Sequence, residues 1–278
     1  MTSRIAFLGC GSMGEAILAG MLAGPVDPAT VVATVRRIER AEELAQRHGI
    51  TAIANSEEEQ ANSLAVAGAE VVVLGVKPAQ IAPLCREISA ALEPEAVVVS
   101  VAGAVTIEQI ERALPAGQAV VRTMPNTPLM VGRGVVGLST GSSVNAEQSA
   151  RAHQVFAGSG VVLDVPEEQM PVIGAISGSG PAYAFYLAEA MARAARELGV
   201  DEETAKTLAT ETVAGAGLML GQQGADATAL RKAVTSPNGT TERAIAVFDE
   251  RDLPAIVLAG AQAAAKRSDD ITAELDQA

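Results

Sequence analysis

The sequence predicts an α/β N-terminal domain followed by an all-helical C-terminal domain, and three observations support this division. The chain has 278 residues, which is long for one hydrophobic core and comfortable for two. Short apolar runs alternate with helical patterns in the first half, whereas the second half shows no alternation of period two. The boundary is predicted near Pro166, which assigns residues 1–165 to the first domain and residues 166–278 to the second.

The first domain is predicted to contain a parallel sheet. Its candidate strands are short, apolar and rich in valine: 4–9, 31–35, 70–76, 96–102, 119–124, 134–139 and 160–165. Helical patterns lie between them at 13–22, 38–49, 106–114 and 146–157. Strand, helix and strand repeating at this spacing indicate parallel strands with helices on both faces of the sheet.

The second domain is predicted to be helical throughout. Its helical segments are 167–176, 181–198, 201–222, 226–235, 239–249 and 253–274. The segment 181–198 is apolar on almost every side, and such a helix must be buried. We expect a second copy of the chain to cover it, with burial by neighbouring helices of the same chain as the alternative.

Charge and composition exclude several classes of partner. The net charge of −13 argues against nucleic acid and anionic membranes, which both need a basic surface, but it admits a small anionic substrate. Two cysteines form no disulfide framework, and we identify neither a signal peptide nor an apolar stretch long enough to span a bilayer. The expected location is the cytoplasm.

The stretch "GCGSMG" follows the first predicted strand and begins a helix. In this position Gly9 permits a tight turn, Gly11 lets a pyrophosphate approach the backbone, and Gly14 lets helix and strand pack closely. The pattern predicts a Rossmann dinucleotide-binding domain. The residues of the loop expected to bind the cofactor are Gly9, Cys10, Gly11, Ser12, Met13 and Gly14.

Two arginines predict which dinucleotide is bound. Sites for NAD carry an acidic residue at the end of the second strand, but here that strand is followed by Arg36 and Arg37, with no acid before Glu39. Guanidinium groups bind a 2′-phosphate that a carboxylate would repel. NADP(H) is therefore expected in preference to NAD(H). The alternative is that both arginines only solvate the start of a helix.

The sequence offers few strong acids or bases for catalysis. His48 lies where a helix ends, His153 lies within a helix, and no group of residues has the spacing of a metal site. Neither Tyr183 nor Tyr186 is followed by a lysine one turn later, as a carbonyl-reducing Tyr/Lys pair requires. A cyclic imine suits such a chain, because its nitrogen is basic enough to be protonated near neutral pH. Catalysis then depends on proximity and orientation.

Two further loops begin helices in the second half. In "ISGSGPAYAF", Ser177 and Ser179 offer hydroxyl groups between glycines, although a tight turn between closely crossing helices explains the same pattern. In "VTSPNGTTERAI", Ser236, Thr240 and Thr241 surround Gly239 at a helix start, which favours binding of a carboxylate. An ordinary cluster of helix-capping residues is the alternative.

Taken together, the motifs "GCGSMGEAI", "GVKP", "SVAGAVTI", "RTMPNTP", "SGSGPAYAF" and "VTSPNGTTERA" resemble those of pyrroline-5-carboxylate reductases, in the same order across nearly the whole chain. The resemblance implies hydride transfer from NAD(P)H to 1-pyrroline-5-carboxylate, giving L-proline in the last step of proline biosynthesis. It also implies a C-terminal domain that forms a homodimer, and assembly of five dimers into a decamer.

The resemblance also implies roles for individual residues. Those implied for the cofactor, besides the glycine loop, are Asn62, Val76, Lys77, Pro78, Ala102, Gly103 and Asn126. Those implied for the substrate carboxylate are Ser236, Gly239, Thr240 and Thr241. Ser177, Ser179 and Thr241 are the candidate catalytic groups. Two positions depart from the family pattern: Gly174 replaces a threonine, and Asn238 replaces a frequent glycine.

Three other functions match part of the sequence pattern. The β-hydroxyacid dehydrogenases share a similar N-terminal domain, but they need a lysine one turn beyond a glycine-rich stretch, and "PAYAFYLAEA" has none. A reductase of another cyclic imino acid fits the same motifs. A non-catalytic NADP-binding regulator would have no need of a carboxylate site beside the cofactor.

Overall fold

The computed structural model describes residues 4–277. Contacts within the chain define two compact units. The first runs to Gly178 and also contains the residues from Ala264 onward, and the second is Ser179–Ala263. The predicted boundary near Pro166 stays a prediction. The segment that follows Pro166 packs on the first unit, because Met170 is buried and lies with Ile173 against Gly137 of the sheet.

A sheet of eight strands is the centre of the described first unit. The strands are β1 (Ile5–Leu8), β2 (Val31–Val35), β3 (Thr51–Ala54), β4 (Val71–Leu74), β5 (Val97–Ser100), β6 (Ala119–Met124), β7 (Gly134–Thr140) and β8 (Gly160–Asp164). They are ordered β3-β2-β1-β4-β5-β6-β7-β8. The first six follow the classical order of a doubly wound dinucleotide-binding fold, which confirms the predicted fold class.

The sheet departs from the predicted parallel arrangement at one pair of strands. β6 and β7 are antiparallel, whereas β7 and β8 are parallel again. The connection between β6 and β7 contains only a 3₁₀ turn at Thr127–Val131. Parallel neighbours need a crossover of a dozen or more residues, so this short connection permits only a reversal of direction.

Helices cover both faces of the sheet. They are α1 (Ser12–Leu22), α2 (Ile38–His48), α3 (Ala61–Val66), α4 (Ile81–Ile88), α5 (Ile107–Glu111) and α6 (Ala146–Val155). The strand β3 and the helices α3 and α4 were not predicted from the sequence. β3 is short and largely not buried, and α3 has only six residues, so neither shows a strong periodic signal. α4 does have helical periodicity, since Ile81, Leu84 and Ile88 lie on one buried face, but Pro83 in its first turn disfavours a helix prediction.

The two faces of the sheet bury separate apolar clusters. Successive residues of β1 point to opposite faces, so that Phe7 belongs to one cluster and Leu8 to the other. The first cluster includes Ile17 and Leu18 of α1, and the second includes Ile81 of α4. Full burial of each large side chain stabilises the fold by about 1.5–3 kcal/mol. Both clusters hold the strand ends, and the loops that follow them, in fixed positions.

The second unit consists of helices. It follows α7 (Met170–Ile173) and a π-helical turn at Gly174–Gly178, which belong to the first unit. Its helices are α8 (Gly180–Glu197), α9 (Glu202–Leu220), α10 (Ala227–Ala233), α11 (Thr240–Glu250) and the first part of α12 (Leu253–Asp276), which continues into the first unit from Ala264. α8 packs against α9. In the single chain Phe185 and Tyr186 of α8 are 69% and 71% exposed. The apolar helix is therefore not enclosed by its own chain.

None of the helices described in residues 4–277 combines the length and apolarity needed to cross a membrane.

A charged network joins α1 to α2. The Glu15 carboxylate accepts hydrogen bonds from Arg40, from Arg47 Nη1 at 2.6 Å and from His48 Nε2 at 3.0 Å. His48 thus ends α2 as predicted, but it binds a carboxylate of α1 as well. Burial opposes ionisation of Glu15, but the hydrogen bonds from His48, Arg40 and Arg47 outweigh it and lower its pKa to about 2. A carboxyl group with a lowered pKa stabilises the folded state in its charged form.

Replacing Glu15 by glutamine is expected to lower the free energy of unfolding at pH 7 by about 1 kcal/mol, because a partly exposed charge network contributes little more. The difference from the wild type should be constant above the ordinary carboxyl pKa of 4.5 and should shrink as pH falls toward 2. Urea unfolding between pH 3 and 7 measures it. Glu42→Gln, at an exposed position of the neighbouring helix α2, is the control. A difference independent of pH would contradict the prediction.

Candidate active site

The loop between β1 and α1 is built around Gly9. Its φ of 74° lies in the left-handed region, and a Cβ there would collide with Val76 Cγ1. The Gly9 amide donates to Thr34 Oγ1 at 3.2 Å, and the Gly11 amide donates to the Gly9 carbonyl at 2.7 Å. Glycine is therefore required at residue 9 by both backbone conformation and contact.

The amino end of α1 is open for an anion. Gly11 is the N-cap residue, and no described side chain caps the helix there. A Cβ at Gly11 would meet only the Gly9 carbonyl oxygen, at 4.0 Å, and Ser12 is exposed. Backbone amides at a helix start with free space above them fit a pyrophosphate. A Cβ at Gly14 would make only an ordinary contact with Cys10 Sγ at 3.5 Å, so the expected close approach at Gly14 is wrong.

The remaining loop residues differ in accessibility. Met13 is half-buried, whereas Cys10 is 1% exposed. Burial raises the pKa of the Cys10 thiol to about 12, so the thiol is neutral and not a nucleophile at physiological pH. Its contribution to a bound cofactor is restricted to the backbone and to packing.

Asn62 lies in a buried hydrogen-bonded chain. Its Oδ1 accepts from Thr34 Oγ1 at 2.6 Å, and its Nδ2 donates to Glu87 Oε1 at 2.9 Å. Because Thr34 also accepts from the Gly9 amide, Asn62 supports the glycine loop through Thr34. Sequence reasoning missed Thr34 and Glu87, although Thr34 is a hydroxyl residue within the otherwise apolar stretch "VVATV". Contact of Asn62 with the adenosine stays a prediction.

Arg36 and Arg37 follow β2 directly, and both are exposed. Neither guanidinium group is paired with a carboxylate of residues 4–277, in contrast to Arg40 and Arg47 on the next helix. The pair therefore presents two uncompensated positive charges at the carboxyl end of β2, where doubly wound folds hold the ribose of a dinucleotide.

The loops after β4 and β5 lie at the same edge of the sheet, because parallel strands share their carboxyl ends. After β4, Val76 packs on Gly9, Lys77 is exposed and Pro78 begins a 3₁₀ turn. After β5, Ala102 is buried and Gly103 is half-buried. These five residues are close to the strand ends where the resemblance places the nicotinamide.

Asn126 joins the end of β6 to the π-helical turn. Its Oδ1 accepts from the Val135 amide at 2.9 Å, and its Nδ2 donates to the Ser177 carbonyl at 3.0 Å. The side chain is 6% exposed. Both ends of the amide are thus used inside the protein, and Asn126 positions the backbone of Ser177 within the first unit.

The Ser177 hydroxyl has no hydrogen-bond partner among the described residues, although its Oγ is buried. A buried hydroxyl without a partner costs about 1–3 kcal/mol, so a free acceptor or donor of this kind favours a ligand. Gly174 and Gly178, on the same turn, lie against Met124, and a Cβ at Gly178 would approach Met124 Cε to 2.5 Å. The glycines therefore let the turn lie close to the end of β6.

The other predicted polar groups belong to the second unit. Ser179 is the N-cap residue of α8 and is half-buried. Gly239 is the N-cap residue of α11, with no side-chain cap among the described residues; Ser236 and Thr240 are exposed and Thr241 is half-buried. Asn238 has a φ of 60°, a conformation that asparagine tolerates well, which explains how it replaces glycine. The amides at the start of α11 are open to an anion.

No cluster of three or more histidine, cysteine, aspartate or glutamate side chains in residues 4–277 is arranged to hold a metal ion.

Comparison with known proteins identifies the family. The sequence is 37% identical to pyrroline-5-carboxylate reductase of Pseudomonas aeruginosa over 99% of both chains, and 38% identical to that of Corynebacterium melassecola over 97% of this chain and 98% of the relative. The chain belongs to the pyrroline-5-carboxylate reductase family. The structure of the Coxiella burnetii pyrroline-5-carboxylate reductase superposes with a TM-score of 0.90 at 36% identity, covering 98% of this chain and 99% of the other.

The two parts of the chain match separate family models. Residues 167–271 match the pyrroline-5-carboxylate reductase dimerisation family, and residues 4–103 match the F420-dependent NADP oxidoreductase family. The resemblance inferred from the sequence motifs and the predicted enzyme class are thereby confirmed. The dimerisation region contains the exposed apolar helix α8.

Replacing Gly9 by alanine is expected to lower the free energy of unfolding by about 1–3 kcal/mol, because the side chain would be strained and would collide with Val76. Gly68→Ala is the matched control: Gly68 has a φ of 70°, but a Cβ there meets no heavy atom within 4 Å. Urea unfolding should show a larger loss for Gly9→Ala than for Gly68→Ala. Equal losses would show that backbone strain alone acts at Gly9.

Proposed function

We propose that this protein reduces 1-pyrroline-5-carboxylate to L-proline with a hydride from NADPH, the last step of proline biosynthesis. The observation that carries this proposal is similarity to pyrroline-5-carboxylate reductases over 99% of the chain. The glycine loop, the Ser177 turn and the start of α11 support it, since each offers the group that a dinucleotide or a cyclic imino acid needs.

NADPH, when bound, supplies the hydride. The amides at the start of α1 hold its pyrophosphate, and the left-handed Gly9 shapes the loop around it. Arg36 and Arg37 hold the 2′-phosphate, which favours NADPH over NADH, with NADH as the weaker cofactor. The pyrroline carboxylate reductase of Plasmodium falciparum has been solved with NADP bound, which agrees with this assignment.

The nicotinamide end of the site is apolar and close to the backbone. Val76, Pro78 and Ala102 exclude water there, and Gly103 leaves space for the ring. Lys77 acts through its backbone, because its side chain is exposed. Asn126 holds the Ser177 turn, and it contributes to the site through that turn rather than through a free amide group.

The substrate carboxylate is held at the start of α11. The hydroxyl groups of Ser236, Thr240 and Thr241 and the backbone amides beside Gly239 donate hydrogen bonds to it. Each charge-assisted hydrogen bond contributes roughly 1.5–3 kcal/mol. No acidic residue precedes Glu242 in this loop, and the Glu242 carboxylate accepts from the Asn238 amide at 2.9 Å.

The reaction needs little acid–base chemistry from the protein. The imine nitrogen carries a proton taken from solvent near neutral pH, the hydride adds to the carbon of the C=N bond, and the π electron pair becomes the nitrogen lone pair of proline. The hydroxyls of Ser177, Ser179 and Thr241 orient the ring and its N–H. The rate enhancement then comes from orientation and a preorganised polar site.

The proposed assembly is a homodimer formed through residues 167–271, with a decamer of five dimers as the larger form. Family similarity in the dimerisation region and the exposed apolar residues of α8 support the dimer. The proposed location is the cytoplasm, where proline biosynthesis would draw on NADPH, and no nucleic acid or membrane partner is proposed.

The test of this function is a substrate panel. Oxidation of NADPH is followed at 340 nm with 1-pyrroline-5-carboxylate, its six-membered homologue and a β-keto acid. Turnover of the five-membered imine to proline supports the proposal, and preference for the six-membered ring identifies a reductase of another cyclic imino acid. Turnover of the β-keto acid alone, or of no compound, would overturn it.

The double variant Arg36→Ala/Arg37→Ala is expected to raise the dissociation constant of NADPH about tenfold or more, because two charge-assisted contacts to the 2′-phosphate are lost. The dissociation constant of NADH should stay nearly unchanged, since NADH has no 2′-phosphate. Isothermal titration with each coenzyme measures the change. Arg86→Ala, which removes another exposed arginine, is the control. Equal weakening of NADPH and NADH would contradict a 2′-phosphate site.

Thr241→Val is expected to raise KM for the imino acid about tenfold, since one charge-assisted hydrogen bond to the carboxylate is lost. The dissociation constant of NADPH should not change. Thr204→Val, in the first turn of α9, is the matched control. An unchanged KM would remove Thr241 from the proposed carboxylate site.

A further inference from the structure

The loop after β5 contains a residue in an unfavourable backbone conformation. Ala104 has a φ of 61°, a left-handed conformation that costs a residue with a side chain roughly 1–2 kcal/mol. Ala104 is 7% exposed, so the loop is packed rather than free. It follows directly after Ala102 and Gly103, which the proposed function places beside the nicotinamide. A conformation of this kind persists only where surrounding contacts maintain it.

One of those contacts comes from the end of the chain. Thr272, on the last part of α12, donates from its Oγ1 to the Ala104 carbonyl oxygen at 2.8 Å. The same hydroxyl lies 3.1 Å from the Ser268 carbonyl, one turn earlier on its own helix. Thr272 and Ala104 are separated by 168 positions in sequence, yet both belong to the first unit.

A second hydrogen bond fixes Thr272 in this position. The Gln109 Nε2 donates to the Thr272 carbonyl at 3.0 Å, while the Gln109 Oε1 accepts from the Thr106 amide at 2.9 Å. Gln109 and Thr106 form the capping box of α5, so α12 is connected to the end of the loop as well as to its middle. Leu275, one turn later, packs on the apolar cluster that contains Ala102.

We infer that Thr272 is a positioning residue for hydride transfer, which holds the Ala102–Ala104 backbone in the conformation that receives the nicotinamide. This inference rests on the proposed function. Thr272 acts only through the Ala104 carbonyl. Without its hydroxyl, Ala104 can relax toward an ordinary φ, which rotates the adjoining peptide groups and shifts Gly103. Displacement of a reacting group by about 1 Å can cost up to a hundredfold in rate.

The test compares Thr272→Val, which replaces the hydroxyl by a methyl group of the same shape, with Thr272→Ser, which keeps the hydroxyl. Thr272→Val should lower kcat about tenfold and raise the dissociation constant of NADPH several-fold, with KM for the imino acid unchanged. Thr272→Ser should behave as the wild type. Adding Ala104→Gly to Thr272→Val should restore part of kcat, because glycine adopts a positive φ without strain.

Hydrogen–deuterium exchange in the coenzyme-free protein gives a readout that does not depend on activity. Amides of residues 101–106 should exchange faster in Thr272→Val than in the wild type, and the rest of the sheet should be unchanged. Asp276→Asn is the control, since it weakens the 3.3 Å pair with Arg112 at the same helix end without touching Ala104. Its exchange and kcat should match the wild type.

The outcomes separate this inference from the proposed function. An active wild type with unchanged kcat and unchanged exchange in Thr272→Val would overturn the inference alone. Equal effects of Thr272→Val and Asp276→Asn would show that only attachment of the helix end matters, and would also overturn it. An inactive wild type would remove the proposed function, and exchange at residues 101–106 would still decide whether Thr272 holds the loop. If Thr272→Val does not fold, loss of kcat and faster exchange in Thr272→Ala decide in its place.

Discussion

The contact between Gly9 and Val76 is the constraint on which the candidate cofactor site depends. The chain must leave β1, turn through a left-handed conformation and enter α1 while the loop after β4 passes directly beside it. Only glycine satisfies both the positive φ and the absence of space. The hydrogen bonds from the Gly9 amide to Thr34, and from Thr34 to Asn62, hold the same turn from the β2 side. The open amino end of α1 is a consequence of this packing.

The candidate site relies on neutral groups that are held rigidly. Asn126 uses both ends of its amide to fix the Ser177 turn, and the Ser177 hydroxyl is left buried and without a partner in the described chain. The one cysteine of the glycine loop is buried and neutral. A site of this composition suits a substrate whose own nitrogen carries the proton, since orientation then contributes more than proton transfer. The chemistry of these residues therefore agrees with the reduction of an imine that the family name indicates.

The second unit leaves a large amount of apolar surface uncovered in the single chain. Within residues 179–263 the buried apolar residues are two alanines, Ala205 and Ala209, while large side chains such as Phe185 and Tyr186 stay exposed. Apolar surface of this extent marks an interaction site. Residues 167–271 match the pyrroline-5-carboxylate reductase dimerisation family, which supports a further copy of the chain as the partner.

The sequence by itself determined the α/β and helical halves, the glycine loop, the two arginines and the family. Those features depend on local periodicity, on residue types at fixed spacing, or on ordered motifs. It did not predict β3 or α3, which are short and carry little periodic signal, or α4, whose helical spacing is accompanied by Pro83. It also did not predict the antiparallel direction of β7, which depends on the length of one connection. Only the tertiary structure showed that Asn62 is hydrogen-bonded to Thr34 and Glu87. The same holds for the hydrogen bonds of Asn126 with Val135 and Ser177, and for the one from Thr272 to Ala104. These contacts join residues far apart in sequence, and no local pattern encodes which distant side chain will complete a hydrogen bond.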